Sequence, residues 1–265
     1  MALPFEVRDP FPLVDLNLHS HREIQVHSKA VDEWLGFELL PVESKIEKFG
    51  CRRRPNAAQG IQNLWAGLDP QDLQTPYVEL RAILAALPLP LAARIVDFGS
   101  AYGRLGFVMA RHLPSAEFLG FEFVGERVLE FERVKARHNL KRAQVRHADL
   151  TSSAFALPEA DCYFIYDFGH RSAIERILSL LRIRAERLDF YLVARGRQSL
   201  YSLDGIHASW AVKASSVITA RTQLYRCGPG HQEILRDKVQ NKELELTVSK
   251  RSLGEVFARP NSKNS

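Results

Sequence analysis

Cysteine is scarce in this chain, and what the sequence lacks excludes several protein classes. Its 265 residues include three cysteines, an odd and widely scattered set, so neither a disulfide framework nor a zinc cluster is predicted. No apolar run reaches membrane-spanning length. Residues 1–15 lack a basic stretch before an apolar one, which argues against a secretory or transit leader. These absences predict a reducing, cytoplasmic location and no membrane partner.

The sequence patterns of two further enzyme classes are also missing. Ser199 and Ser209 lack the Gly-x-Ser-x-Gly context that exposes a hydrolase nucleophile. The segment Tyr166–His170, YDFGH, is not the Asn/Asp-Pro-Pro-Tyr pattern that orients a planar amino group. Its absence disfavours chemistry on nucleobase or glutamine amino groups.

The composition is that of a single globular domain with a mild positive charge. Hydrophobic residues make up 46% of the chain, which is enough for one sizeable core. The formal net charge of +5 favours acidic partners. The basic run Arg52–Arg54 either contacts phosphate or forms a solvated loop.

Strand and helix patterns alternate over the middle of the chain, which predicts a parallel, right-handed α/β sheet. The predicted strands are Arg94–Phe98, Glu117–Glu122, Ala143–His147, Cys162–Tyr166 and Leu188–Val193. The predicted helices between and after them are Tyr102–His112, Gly125–His138 and Arg171–Arg182. Alternation in Ser216–Tyr225 and Leu244–Lys250 predicts two more strands, separated by the turn-prone Cys227–His231.

The first part of the chain shows no strand alternation and is interpreted as a helical N-terminal extension, residues 1–74. Helices are predicted around Asp32–Leu40 and Ser44–Gly50. A helix over Pro76–Leu87, with Thr75 as its N-cap, opens the main domain at residues 75–258. Residues 259–265 are expected to be a frayed tail.

The segment IVDFGSAYGRLG is the most informative stretch of the sequence. It combines a short apolar run with Asp97 and with small residues at Gly99, Gly103 and Gly106. Such a strand, turn and helix can bring the backbone close to a ligand, although glycines after a strand often only turn the chain. The segment therefore predicts a nucleotide-like binding loop.

Acidic residues follow three successive predicted strands. Asp97 ends the first, Glu122 ends the second, and Asp149 follows the third. Because the carboxyl ends of parallel strands border the ligand crevice, we expect these side chains to lie along one rim. A carboxylate at the second position can accept from both ribose hydroxyls, and one at the third can accept from an adenine amino group.

This combination resembles the class I S-adenosylmethionine (SAM)-dependent methyltransferases, whose first motif is acid-x-Gly-x-Gly-x-Gly. The matching positions are Asp97, Gly99, Ala101 and Gly103, and Ala101 departs from the pattern. The resemblance spans about residues 75–195. It implies a Rossmann-like, mostly parallel sheet with an antiparallel C-terminal strand pair, and SAM as cofactor. The cofactor residues that it implies are Thr75, Tyr77, Asp97, Gly99, Ser100, Ala101, Tyr102, Gly103, Glu122, Phe123, Asp149 and Leu150.

A finer resemblance concerns the acceptor of the methyl group. The Thr75-Pro76-Tyr77 segment before the glycine loop is similar to one in the non-SET lysine methyltransferases. That resemblance implies that Thr75 and Tyr77 face the methionine end of the cofactor, although Tyr77 fits equally well as a core aromatic. It favours a protein lysine as acceptor, with nucleic acid or a small metabolite as the alternative.

The candidate catalytic residues are Tyr166, Asp167, Phe168 and His170, which follow the fourth predicted strand. Two aromatic rings can shape an apolar channel to the methyl group, and Asp167 or His170 can orient the nucleophile. The alternative is that Asp167 caps the next helix while the two rings pack in the core.

Two other functions compete with methyl transfer. A nicotinamide-dependent dehydrogenase would use a similar glycine loop, but it leaves Asp149 without a role, and no second catalytic domain remains. A non-catalytic binding protein with this fold is the second rival, because folds do not determine function. No metal site is predicted.

Overall fold

The computed structural model describes residues 3, 5–52, 69–205, 207 and 209–230. They form one seven-stranded sheet with helices on both faces. The strands are β1 Arg94–Phe98, β2 Glu117–Glu122, β3 Ala143–His147, β4 Cys162–Tyr166, β5 Phe190–Arg195, β6 Ala211–Thr219 and β7 Thr222–Cys227. The helices are α1 His21–Leu35, α2 Leu39–Arg52, α3 Tyr77–Ala86, α4 Arg104–His112, α5 Gly125–His138, α6 Arg171–Ala185 and α7 Arg197–Asp204.

The strand order across the sheet is β3-β2-β1-β4-β5-β7-β6. β1 pairs in parallel with β2 on one side and with β4 on the other, so the order in which strands are added to the sheet reverses at β1. Such a switch point leaves a ligand crevice at the carboxyl ends of the strands. β7 runs antiparallel to β5 and β6. The predicted Rossmann-like sheet with an antiparallel C-terminal pair is confirmed.

Two hydrophobic cores cover the two faces of the sheet, because successive residues of a strand point to opposite sides. Ile95 of β1 packs with α3, α4 and α5, whereas its neighbour Val96 packs with α6. Both side chains are fully buried. Such burial on both faces explains why β1 appears in the sequence as a short apolar run.

The N-terminal helices share the first of these cores. Val31 and Leu35 of α1, together with Leu39 of α2, pack in the same cluster as Tyr77 and Tyr102. Helix α1 begins at a capping box formed by Ser20 and Glu23 and ends at Gly36, whose φ is +88°. The described residues before and after position 74 therefore share one hydrophobic core and pack together.

Several predicted boundaries are corrected by the structure. The N-cap of α3 is Pro76, which makes no side-chain capping hydrogen bond, so the predicted N-cap at Thr75 is wrong by one residue. The first helix ends at Gly36 and does not continue to Leu40.

At the C-terminal end, the range Ser216–Tyr225 is not one strand, because Ala220 and Arg221 form the turn between β6 and β7. Helix α7 was not predicted. The predicted strand Leu244–Lys250 and the tail lie outside the described residues. Within the described part of the chain, no helix is both long enough and apolar enough to cross a bilayer.

Candidate functional site

A cavity of about 910 Å³ opens at the carboxyl edge of the sheet, where sequence analysis placed the ligand. Ten of the predicted site residues line it: Gly99, Ala101, Glu122, Phe123, Asp149, Leu150, Tyr166, Asp167, Phe168 and His170. Loops after β1, β2, β3 and β4 supply these residues, and the start of α7 and the β6–β7 turn close the far end. The volume is in the range that holds a cofactor-sized ligand.

The glycine loop after β1 turns through three left-handed residues. Gly99, Ala101 and Gly103 have φ values of +75°, +46° and +66°. A Cβ on Gly99 would lie 2.2 Å from the Cβ of Phe168, so this glycine lets the loops after β1 and β4 touch. Ala101 takes the same backbone region with a side chain, which is a strained conformation for alanine.

Four backbone N–H groups of this loop are occupied by protein acceptors. Gly99 and Ser100 both donate to the carbonyl of Phe121 at 2.9 Å, and Gly103 donates to the carbonyl of Ser100 at 2.8 Å. Ala101 donates to Oε2 of Glu122 at 2.9 Å. These donors are therefore not directed at a phosphate group in the cavity.

Glu122 is the best-positioned acid of the predicted three. Its side chain is buried and lines the cavity. Oε1 accepts from the N–H of Val124 at 2.9 Å and lies 3.7 Å from Nη1 of Arg127. Burial raises the pKa of Glu122, while Arg127 and the N–H groups of Val124 and Ala101 oppose that shift. The carboxylate is thus held by the glycine loop, through Ala101, and by the start of the loop after β2, through Val124.

Asp97 lies at the end of β1, beside Glu122. Burial and the charge of Glu122 raise its pKa to about 7. It does not line the cavity. Asp97 therefore changes its charge near neutral pH, unlike an ordinary aspartate.

The residues after β2 and β3 form one end of the cavity. Asp149 is exposed, and its Oδ1 accepts from the N–H of Thr151 at 2.8 Å and from its hydroxyl at 2.6 Å. The ring of Phe123 is 49% exposed although it lines the cavity, which leaves an aromatic face open to a ligand. Leu150 is buried below them. An acid and an exposed ring suit a planar, donor-bearing group.

Tyr166 lies at the other end, stacked on an arginine. The guanidinium of Arg195 lies 4.4 Å from the ring centroid of Tyr166. Arg195 donates from Nε to Oε1 of Glu79 at 3.0 Å, and its side chain is buried. The Tyr166 hydroxyl donates to the carbonyl of Asp72 at 3.4 Å. The tyrosine is fixed by a buried ion pair beneath it.

Asp167 is held by the start of α7. Its carboxylate accepts from the N–H of Gln198 at 3.0 Å and from the N–H and hydroxyl of Ser199, both at 2.8 Å. A Cβ on Gly196, whose φ is +98°, would lie 2.4 Å from Cγ of Asp167, so the cap requires glycine there. The capping alternative applies, but to α7 and not to the helix that directly follows Asp167.

His170 and two arginines surround the same end. His170 precedes α6, is exposed and lines the cavity. Arg197 and Arg221 are exposed and also line it, and their guanidinium groups have no ion-pair partner among the described residues. The N–H of Gly196 donates to the carbonyl of Arg221 at 3.0 Å, which joins the segments that carry both arginines.

Six predicted cofactor residues do not line this cavity: Thr75, Tyr77, Asp97, Ser100, Tyr102 and Gly103. Tyr77 is completely buried, and its hydroxyl donates to Oδ1 of Asp32 at 2.7 Å, so it is a core aromatic that holds α1. Thr75 is close to Tyr77 in sequence, and its carbonyl accepts from Nη1 of Arg104 at 3.5 Å.

Three residues of the glycine loop, Ser100, Tyr102 and Gly103, also face away from the cavity. Tyr102 is completely buried and donates to Oε1 of Glu43 at 2.7 Å. A Cβ on Gly103 would lie 2.6 Å from the ring of Phe131, so this glycine permits core packing and not ligand approach. Ser100 is buried against Gly120.

Sequence reasoning missed the arginines of the site, which are Arg127, Arg195, Arg197 and Arg221. No motif marks them, because arginine is common on surfaces and each of these lies on a different element or turn. A weak signal was available for Arg195 and Arg197, which directly follow the apolar run of β5.

No family model and no curated protein matches the chain. Similar solved structures include coclaurine N-methyltransferase bound to N-methylheliamine and SAH, at 17% identity and a TM-score of 0.38, covering 46% of this chain and 37% of that one. Another is precorrin-6y C5,15-methyltransferase from Geobacter metallireducens, at 14% identity and TM-score 0.45, covering 60% and 90%. A third is a SAM-dependent methyltransferase from Aquifex aeolicus, at 15% and 0.45, covering 60% and 98%. At these values the likeness concerns fold alone.

Proposed function

We propose that this chain is a SAM-dependent methyltransferase. The observation that carries the proposal is the pairing of a buried, cavity-facing Glu122 with a loop whose N–H groups at Gly99, Ser100, Ala101 and Gly103 are already occupied. A dinucleotide needs loop N–H donors for its pyrophosphate, whereas SAM has no phosphate. The site therefore fits a nucleoside with hydroxyl groups better than it fits NAD.

The residues of the cavity match the parts of that cofactor. Glu122 is suited to accept from the ribose hydroxyls, and Asp149 with the exposed ring of Phe123 is suited to the adenine. SAM supplies an electrophilic methyl group on sulfur when it is bound.

This chain's own residues position the acceptor and exclude water. Tyr166 and Phe168 provide aromatic surface at the acceptor end, and Tyr166 is held there by Arg195. Asp167 has a positioning role, because its carboxylate fixes the start of α7, which carries Arg197. His170 lines the same wall and is the titratable residue we assign to proton transfer from the acceptor.

A protein lysine is the first acceptor we propose. Deprotonating a lysine from its reference pKa of about 10.4 at pH 7 costs roughly 4.6 kcal/mol. The aromatic surface disfavours the ammonium, and the nearby positive charge of Arg197 lowers its pKa further. Both effects support transfer to a neutral amine.

A second acceptor class is supported by a different observation. Arg197 and Arg221 have no ion-pair partner among the described residues and line the acceptor end. Arginine recognises carboxylate and phosphate groups through paired N–H donors. This pair favours a nucleic acid or a small anionic metabolite as acceptor.

Ligand-dependent thermal unfolding tests the proposed function. SAM, S-adenosylhomocysteine (SAH), NAD and NADP are compared, and a ligand at 100 times its Kd adds about 2.7 kcal/mol, which is a shift of several degrees. Glu122→Gln should remove the shift. Glu117→Gln changes the exposed acid at the opposite end of β2 and should leave it intact.

The outcomes separate the competing functions. Stabilisation by SAM and SAH alone supports the proposal, and methyl-labelled SAM with lysine peptides, RNA and small anions then identifies the acceptor. Stabilisation by NAD would contradict it. Stabilisation by none of the four would favour a binding protein without catalytic activity.

A further inference from the structure

The N-terminal extension reaches the cofactor site through a buried chain of charges. Glu43 of α2 accepts from Nε of Arg127 at 2.8 Å and from Nη2 at 3.0 Å. Arg127, on α5, is 4% exposed and Glu43 is 6% exposed. The hydroxyl of Tyr102, which belongs to the glycine loop, donates to Oε1 of Glu43 at 2.7 Å, the oxygen that also accepts from Nε of Arg127. Three segments of the chain therefore meet at one carboxylate.

The geometry at the other side of Arg127 is different. Its Nη1 lies 3.7 Å from Oε1 of Glu122, which is too long for a hydrogen bond but close enough for charge attraction. Each Glu122 oxygen accepts one backbone N–H, from Ala101 or from Val124. A carboxylate oxygen has a second lone pair, so both oxygens keep acceptor capacity toward the cavity they line.

We propose that Glu43 is a positioning residue for cofactor binding, which holds Arg127 beside Glu122 but far enough away to leave the acceptor sites of Glu122 open to ribose. This inference rests on the proposed function. Without the Glu43 carboxylate, Nε and Nη2 of Arg127 lose their acceptors, while Oε1 of Glu122 stays 3.7 Å from its Nη1. Arg127 then shifts toward Glu122 and competes with the ribose for its oxygens, because a buried guanidinium group that loses acceptors is disfavoured.

A second buried ion pair provides a matched control. Arg104, the first residue of α4, pairs with Asp32 of α1, and both are 3% exposed. This pair docks the same extension on the same face of the domain, but no contact of Arg104 with Glu122 is observed. Asp32→Asn therefore loosens the extension without changing the partner of Glu122.

The experiment measures recognition of the ribose hydroxyls separately from overall affinity. Calorimetry on the full chain gives the Kd of SAH and of its 2′,3′-dideoxy analogue, and their ratio reports the hydroxyl contacts. Two hydrogen bonds to a charged acceptor correspond to a ratio on the order of 100. We expect Glu43→Gln to lower this ratio about tenfold, toward the value for Glu122→Gln, and Asp32→Asn to keep it within about threefold of wild type.

Each outcome decides the inference. A wild-type ratio retained in Glu43→Gln would overturn it, and so would an equal loss in Asp32→Asn, which would mean that docking alone matters. If wild type does not bind SAH, the proposed function itself falls. Should Glu43→Gln fail to fold, Tyr102→Phe removes one hydrogen bond to Glu43 and keeps all charges. An unchanged ratio in Tyr102→Phe would then contradict the inference, and a severalfold lower one would support it.

Discussion

Replacing Arg104 with methionine should destabilise the whole protein. Its guanidinium bonds to both carboxylate oxygens of Asp32, with the Nε contact at 3.2 Å, and donates to Oε1 of Gln71 at 2.8 Å. Arg104→Met leaves the Asp32 carboxylate buried without a cation. Removing one partner of a buried ion pair costs about 3–5 kcal/mol, so the unfolding free energy should fall by that amount.

Thermal and urea unfolding measure this loss. For a chain of this size each kcal/mol corresponds to roughly 2–4 °C, so Tm should fall by about 6–20 °C. The same substitution at Arg94 is the control, because its ion pair with Glu117 has a 3.5 Å separation and both side chains are 52% exposed. Arg94→Met should cost less than about 1 kcal/mol.

A double-mutant cycle tests the cause of the loss. If the unpaired Asp32 carboxylate is responsible, the double variant should lose less unfolding free energy than the sum of the losses in Arg104→Met and Asp32→Asn. The difference, which is the coupling energy, should be about 1–3 kcal/mol. A loss below about 1 kcal/mol in Arg104→Met, or strict additivity in the double variant, would refute this account of how α1 is attached.

Two further predictions follow from the acids of the site. Because the pKa of Asp97 is raised to about 7, the folded chain keeps a proton there that the unfolded chain loses above its usual pKa of 3.8. Stability from this residue should decline from about pH 4 to pH 7 and level off above, and Asp97→Asn should remove that decline in pH-dependent urea unfolding; equal slopes would contradict it. Asp167→Ala should cost about 1–2 kcal/mol through the lost α7 cap while the Kd of SAH changes less than about threefold. Lost binding at unchanged stability would instead show that Asp167 contacts the ligand.

The sheet could be predicted because its strands carry local signals. β1 and β4 contain short apolar runs, and each of the predicted acids stands at or just after the end of a strand. Helix α7 carries no such signal, since only two or three of its residues face the core and its cap comes from Asp167, far away in sequence. The β6–β7 turn was missed because Ala220 and Arg221 are not typical turn residues, so the alternation continues through them.

Site residues could be predicted where the local sequence determines their position, and could not be predicted where a partner distant in the sequence determines it. Glu122 could be placed from its position after a strand, and it does line the cavity. Tyr77 could not, because its partner Asp32 is 45 positions away and determines that it faces α1. The separation between Glu43 and Arg127 is 84 positions, which no local pattern reveals.

The two ion pairs that attach the extension have a consequence for how this sequence can evolve. One partner of the first pair, Arg104, directly follows Gly103 of the binding loop. A substitution at position 104 or 127 leaves a buried carboxylate at position 32 or 43 without its cation, so we expect the two positions of each pair to change together. In relatives of this chain, the sequence of the loop and the sequence of the first two helices should therefore covary, and an extension exchanged between them would need its own loop.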